Sequence, residues 1–454
     1  MKNRAAILLI LVCCLSPALR ANAAPKTFTG VVSSNWFNGD NWNPTGVPGA
    51  SDDVVVSSGT LDLSGGNATV ATYTHENGTL TGSGTLTVTG LMTWARGVIR
   101  GTGVVDANGG IAITTLSAVT LADTRTLNNS AMATWTGPGG FSLGGNATFT
   151  NLPGATFAIQ TASNMGSGMF DNMGTVTKTA GGGDGVTNIS SFINNSGTIN
   201  VLSGTLRVSS SGMHTGTLTV QAGATFDFTG GDHMVSGSFT SADSIGFNGG
   251  QITFKSGSTY NVGEQTVVTA SAVTFENGAH VSLSDTLRIE GGALNLSSGT
   301  DFMLATYTHN NGTLTGTDDL SVSGPMTWAR GVIRGTGVVN ANGGIAITTL
   351  SAVTLADTRT LNNSAMATWT GPGASPSEAT PRSPTCQARP SPSRPRPTWA
   401  RACSTIWVRS PRRRAAAMAS PTSAAPSSTA DSFRSSPAVW CAAAVTRRRR
   451  ELHA

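Results

Sequence analysis

The sequence predicts an all-β chain wound as a right-handed parallel β-helix (a solenoid), followed by a disordered C-terminal tail. Three observations carry that expectation: short runs that alternate apolar and polar residues, glycine corners between them, and a long internal repeat. The runs include GTLTG from Gly78, TLTVT from Thr85, GIAITTL from Gly110, GTINVL from Gly197 and GTLRV from Gly204. Alternation with period two buries one face of a strand and solvates the other. Asn77-Gly78, Asn108-Gly109, Ser196-Gly197, Asn248-Gly249 and Asn277-Gly278 punctuate the runs. Such residues accept positive φ and so supply corners. Nothing reads as a helix of three turns. Tandem sandwiches would need longer strands and a large aromatic core. Strands of three to five residues with Leu, Val, Ile, Ala and Thr inside suit stacked coils, roughly 17 of them at ~20 residues each.

Composition narrows the field. The chain has 454 residues, 56 of them glycine, with 11% charged and 6% aromatic side chains. Glycine without a three-residue period excludes collagen, and the low charge argues against an ordinary disordered chain. The net charge of +5 averages three unlike regions. Residues 1–23 carry three basic groups and no acidic ones, residues 24–373 carry 11 basic and 20 acidic, and residues 374–454 carry 14 basic and three acidic. The body is therefore acidic, and no nucleic-acid partner is expected.

Lys2 and Arg4 precede an apolar stretch from Ala5 to Leu15, and Ala21-Asn22-Ala23 follows. That order reads as a signal peptide over residues 1–23, so the chain is expected to be exported, to the cell surface or the extracellular space. The stretch is too short for a membrane span, and no transmembrane segment is expected elsewhere. Cys13, Cys14, Cys386, Cys403 and Cys441 leave residues 24–373 without a thiol. The body therefore has no disulfide framework, no Cys nucleophile and no thiolate metal site.

The segment from Ala71 to Gly139 recurs from Ala305 to Gly373 at an offset of 234, with eight differences in 69 positions. Residues 24–304 thus read as a β-helical repeat region with an N-terminal cap at about 28–60, and 305–373 as a partial second copy. After Gly373 the text changes character and contains no further glycine. Residues 374–454 read as the same gene segment translated one nucleotide out of frame. A Met codon followed by G becomes Trp, and Trp399 lies 234 after Met165. Cys403 stands in the same relation to Met169, Cys386 to Leu152, Arg412 to Lys178, Ala415 to Gly181 and Met418 to Asp184. The Arg, Pro, Ala and Ser richness of this tail then reflects out-of-frame code, and the tail is expected to be disordered.

Residues 34–56, SNWFNGDNWNPTGVPGASDDVVV, together with GTLTVTG-xx-TW, TLNN-x-A-x-A-TWTG and FINNSGTINVLSGTLRV, resemble repeat regions of large bacterial surface proteins. That group includes autotransporter-like and adhesin-like β-helical proteins. The resemblance covers nearly all of 28–373 and implies architecture and surface location rather than an activity. The sequence departs from it in lacking a recognisable C-terminal anchor or outer-membrane barrel.

Candidate chemistry is sparse, and no cofactor is expected. Asp52-Asp53 and Asp318-Asp319 are the only adjacent carboxylate pairs of the body and could take Ca²⁺, although Asp in a turn also caps backbone amides. Trp94, Arg96 and Arg100, copied as Trp328, Arg330 and Arg334, share strand parity. They could offer an aromatic platform and two cations to an acidic glycan, or form an outer ladder with Arg stacked on Trp. Trp36 and Trp42 could stack on sugar rings, but capping the first coil is the favoured role. Tyr73 and His75, copied as Tyr307 and His309, keep no ligand set, because Glu76 becomes Asn310; a surface His is the expectation. Gly140-Phe-Ser142-Leu-Gly144 matches a hydrolase elbow in letters only, since strand-like text follows it. The expected role is a structural or adhesive stalk or passenger that meets glycans, extracellular matrix or other cells. The alternatives are a β-helical polysaccharide lyase or hydrolase, and a gene fragment without function.

Overall fold

The computed structural model describes residues 24–181, 185–349 and 352–370. The expected signal peptide and the tail expected to be out of frame lie outside the described residues. Within them the chain is all-β, with a single short 3₁₀ turn at Gly39–Asn41. The strands stack in parallel as a solenoid of about 15 turns, fewer than the roughly 17 expected because residues 24–52 go to a cap.

Each turn contributes three strands, one to each of three walls. The first wall starts Asp53–Val56, Thr72–His75, Met92–Trp94; the second Thr60–Asp62, Thr79–Thr81, Gly97–Ile99; the third Ala68–Val70, Leu86–Val88, Val104–Ala107. Strands are short because each wall ends at a corner, and the alternating pattern sends every second side chain inward. In Leu86–Val88 the outer residues are buried and Thr87 between them is half-buried. Two strands, Thr225–Val235 and Ile245–Phe254, run without a break from the second wall into the third. Register shifts around Thr229 bend them at Gly230-Gly231 and Gly249-Gly250 and fuse the two walls into one 29-stranded sheet.

Like side chains stack inside. Phe228 lies over Phe247 with ring centroids 5.9 Å apart and planes 2° apart, and Phe149 over Phe170 at 5.6 Å. The interior is thus more aromatic than the composition suggests, because the body's few Phe and Trp residues are concentrated there. Asn129, Asn151, Asn172 and Asn195 form a buried polar ladder at the corner between the third and first walls. The first three amides each donate to the side-chain carbonyl of the Asn one turn on, at 2.9, 2.8 and 2.7 Å. These amides and that of Asn195 also reach Thr156 O, Thr175 O, Thr198 O and Thr217 O, so the buried donors are held, while Asn129 Oδ1 at the start of the ladder is buried without a partner.

The N-terminal residues close the lower end. Lys26–Phe28 pairs antiparallel with Trp42–Asn43 and parallel with Asp53–Val56, covering the edge of the first wall. Asn35 bridges to Asp62 and does the same for the second. Phe37 lies over Gly65 and Gly66, just ahead of the first strand of the third wall. An open sheet edge would otherwise template pairing with other chains. Trp36, Trp42 and Phe28 fill this cap, with Trp36 and Trp42 edge-to-face at 5.1 Å. The cap is shorter than expected, since wall strands begin at Asp53.

The two copies of the repeat do not lie on the same walls. Thr72–His75 belongs to the first wall, whereas its copy Thr306–His309 stacks on Thr286–Ile289 in the second. Leu86–Val88 belongs to the third wall, and its copy Leu320–Val322 to the first. The repeat length therefore equals a whole number of turns plus one wall, and the second copy is turned by a third of a revolution. Near this junction the first-wall ladder is interrupted. His280–Ser282 pairs only backward with Thr259–Val262, and Phe302–Leu304 only forward with Leu320–Val322.

Candidate functional site

The structure separates the residues of the Trp-Arg motif. Met92–Trp94 is a first-wall strand, Ala95 and Arg96 turn the corner, and Gly97–Ile99 belongs to the second wall. The corner breaks the parity that a single strand would have given. Trp94 and Trp328 are buried, and their indole N–H groups donate to Arg96 O and Arg330 O at 3.0 and 3.1 Å. Neither ring offers a face to a sugar or to an arginine, so both the platform and the outer Trp–Arg ladder are corrected. Arg96 and Arg330 are exposed at the corners.

Arg100 and Arg334 instead make ion pairs one turn on, with Asp123 and Asp357, each at 3.0 Å. Both aspartates sit at positive φ, 62° and 57°, and also accept the amides of Gly101 and Gly335. The arginine bond and that amide bond hold both carboxyls below the usual carboxylate range.

Trp36 and Trp42 are likewise buried, and the Trp42 indole donates to Trp36 O at 2.8 Å. They act in the cap and have no ring face for a glycan. Asp52 accepts the Gly49 amide at 2.8 Å and Asp53 the Thr72 hydroxyl at 2.6 Å. Asp318 is buried, taking the amide and hydroxyl of Ser298 at 2.7 and 2.8 Å and the Gly299 amide at 3.0 Å. Asp319 accepts the Val338 amide at 2.7 Å. All four carboxylates thus bond to the chain itself, and these bonds are of the amide- and hydroxyl-capping kind. Among the described residues no three His, Cys, Asp or Glu side chains gather in a way that would hold a metal ion. Ser142 lies within the strand Phe141–Leu143, not on an elbow.

The histidines correct the surface reading. His75 and His309 are fully buried. Their Nδ1 atoms face Tyr73 Oη and Tyr307 Oη at 2.9 and 2.7 Å, and their Nε2 atoms face Gly78 O and Gly312 O at 3.3 Å. A neutral imidazole with the proton on Nε2 satisfies both contacts. Burial pulls each down to about 4. His214 and His233, 3.1 Å apart in the core, are pulled down by burial to about 3 and about 4. The sequence reading puts His75 and His309 at the surface and passes over His214 and His233, although the strand pattern held the signal: His75 follows Tyr73 by two, on the inward parity.

A shallow concave site lies on the outside, at the interrupted ladder. Thr259, Asn261, His280, Ser282 and Thr300 surround a cleft of about 350 Å³, with Tyr260 and Val281 at its base. No candidate from the sequence falls there, because the break depends on how two coils meet.

No protein-family model, curated protein or solved structure matches this chain.

Proposed function

We propose that the chain is an exported, repetitive structural protein of a bacterial surface, a stalk or adhesin passenger that meets glycans, matrix or other cells through its outer walls. The observation that carries this reading is the placement of the repeat. A catalytic constellation needs one fixed arrangement, whereas the repeat sets the same corner ion pair on different walls, Arg100–Asp123 and Arg334–Asp357. That suits a surface met from several directions. The shifted histidines and tyrosines support the same reading, since burial in the core shifts them and none lines the outer cleft except Tyr260 at its base. Export rests on the Lys2-to-Ala23 pattern, and truncation on the six out-of-frame landmarks.

The test incubates the full chain with cells and with immobilised oligosaccharides while following release of reducing ends and unsaturated uronate. Retention without release supports the proposal. Release would replace it with the lyase or hydrolase. Resequencing from codon 360 onward tests the truncation: a restored base should return GFSLGGNATF-like text after Gly373.

A further inference from the structure

We propose that the cleft at the interrupted first-wall ladder binds one uncharged sugar ring. This deepens the glycan-contact reading and rests on it. The cleft exists because Val281, an inward residue paired with Tyr260 below, has no strand above it. It is left half-buried where its ladder neighbour Tyr260 is sealed. The His280 amide donates downward to Ser258 O, so strand alternation turns the Val281 amide and carbonyl upward into the gap.

Both ends of the gap are tied shut. Gly278 N donates to Ser298 O at 2.9 Å on one side, and Ala305 N to Asp285 O at 2.8 Å on the other. Those bonds hold the two coils at strand spacing, so a peptide strand cannot thread between them. The occupant must enter from outside and be small. A volume of about 350 Å³ lies at the low end of small-ligand sites, roughly 300–1,000 Å³, and so fits a single ring rather than a chain.

The lining selects the chemistry. Thr259, Ser282 and Thr300 offer hydroxyls, Asn261 an amide and His280 an imidazole, while no Asp, Glu, Lys or Arg lines the cleft. The half-buried Val281 supplies an apolar floor, while the Tyr260 ring is sealed in the core. Hydroxyl-rich rims around an apolar base match a pyranose, which carries polar edges on an apolar face. The lack of a fixed charge disfavours uronates, phosphates and free amino acids. The cleft lies at the junction between the two copies. In the first copy, the strand equivalent to Phe302–Leu304 is Ala68–Val70, and there the cap's Phe37 covers the preceding corner.

The experiment is saturation-transfer NMR on the full chain with D-glucose, D-galactose, D-mannose and N-acetyl-D-glucosamine, followed by titration of the best. Wild type should give transfer to at least one of them. Thr300→Trp, placed at an exposed corner, should abolish it without changing the circular dichroism spectrum. Asn261→Ala with Ser282→Ala should weaken it about tenfold, as loss of two hydrogen bonds would. Undiminished transfer in Thr300→Trp, or in the double variant should the tryptophan variant misfold, overturns the cleft and leaves glycan contact elsewhere standing. No transfer from any of the four sugars also overturns it, while retention of cells and oligosaccharides decides the broader reading separately.

Discussion

In the first copy of the repeat, Gly84 precedes the third-wall strand Leu86–Val88, and a Cβ there would lie 1.9 Å from Gly66 O. In the second copy the same place is Asp318, ahead of the first-wall strand Leu320–Val322, with its carboxylate buried against the Ser298–Gly299 corner. The surrounding text is nearly identical, yet the coil beneath differs, and that coil decides whether a side chain fits. The buried arginines show the same dependence. Arg125 donates to Arg100 O, Gly84 O and Gly82 O at 2.8, 3.0 and 3.0 Å, tying successive turns together. Arg359 keeps Asp318 O at 3.0 Å, but its Nε and Nη2 are buried without a partner. A repeat thus transfers its strands intact while its polar bonds depend on the neighbouring turns.

The largest expected effect treats the copies as equivalent. His75, His309, His214 and His233 are held below the unfolded value of about 6.5, so the unfolded chain takes up protons first as pH falls. Stability is complete above pH ~6.5, falls by roughly 1.4 kcal/mol per histidine per pH unit, and levels off near the folded values. Urea unfolding followed from pH 7 to 4 measures this slope. His75→Phe and His309→Phe should remove equal shares of it, and unequal shares would break the equivalence.

Next comes an exchange at the position that differs. Gly84→Asp should cost about 3 kcal/mol or more, because backbone occupies the space, and should melt the turns around it. Asp318→Gly should cost about 1–3 kcal/mol by stranding the Ser298 and Gly299 amides. Equal tolerance of both exchanges in hydrogen-exchange measurements would contradict the fit argument.

Arg125→Met should cost about 2–3 kcal/mol, since one buried and two part-buried carbonyls lose a charged donor. Arg359→Met should cost about 1 kcal/mol less, because part of that guanidinium is already unsatisfied. A reversed order in thermal unfolding would show that the turn beneath Arg125 is not what holds it. The smallest effect belongs to the exposed corners: Arg100→Ala and Arg334→Ala should leave the unfolding midpoint unchanged in both copies.

Much of the fold was legible in the residues. GTLTG, TLTVT and TINVL became strands with the expected inward leucines, isoleucines and valines, because period-two alternation is a local property. The site residues were legible only in part. Asp52, Asp53, Asp318 and Asp319 cap amides and hydroxyls as turn carboxylates do. Strand parity puts Trp94 and Arg100 on one face, but a corner at Ala95–Arg96 separates them, and a three-residue strand makes parity across it meaningless. The loss of a ligand set where Glu76 becomes Asn310 points His75 to the surface, yet its position two after Tyr73 puts it on the buried face.

The sequence by itself determined the strand pattern, the Asn-Gly and Ser-Gly corners, the absence of thiols from the body and the near-identity of the two copies. All of these follow from local residue type and spacing. Only the tertiary structure decided the number of walls, the turn of the second copy by one wall, the buried Asn ladder and the cleft beside Val281. Each depends on which residue lies one coil away, some 20 positions along the chain, and that distance is set by summing every corner between them.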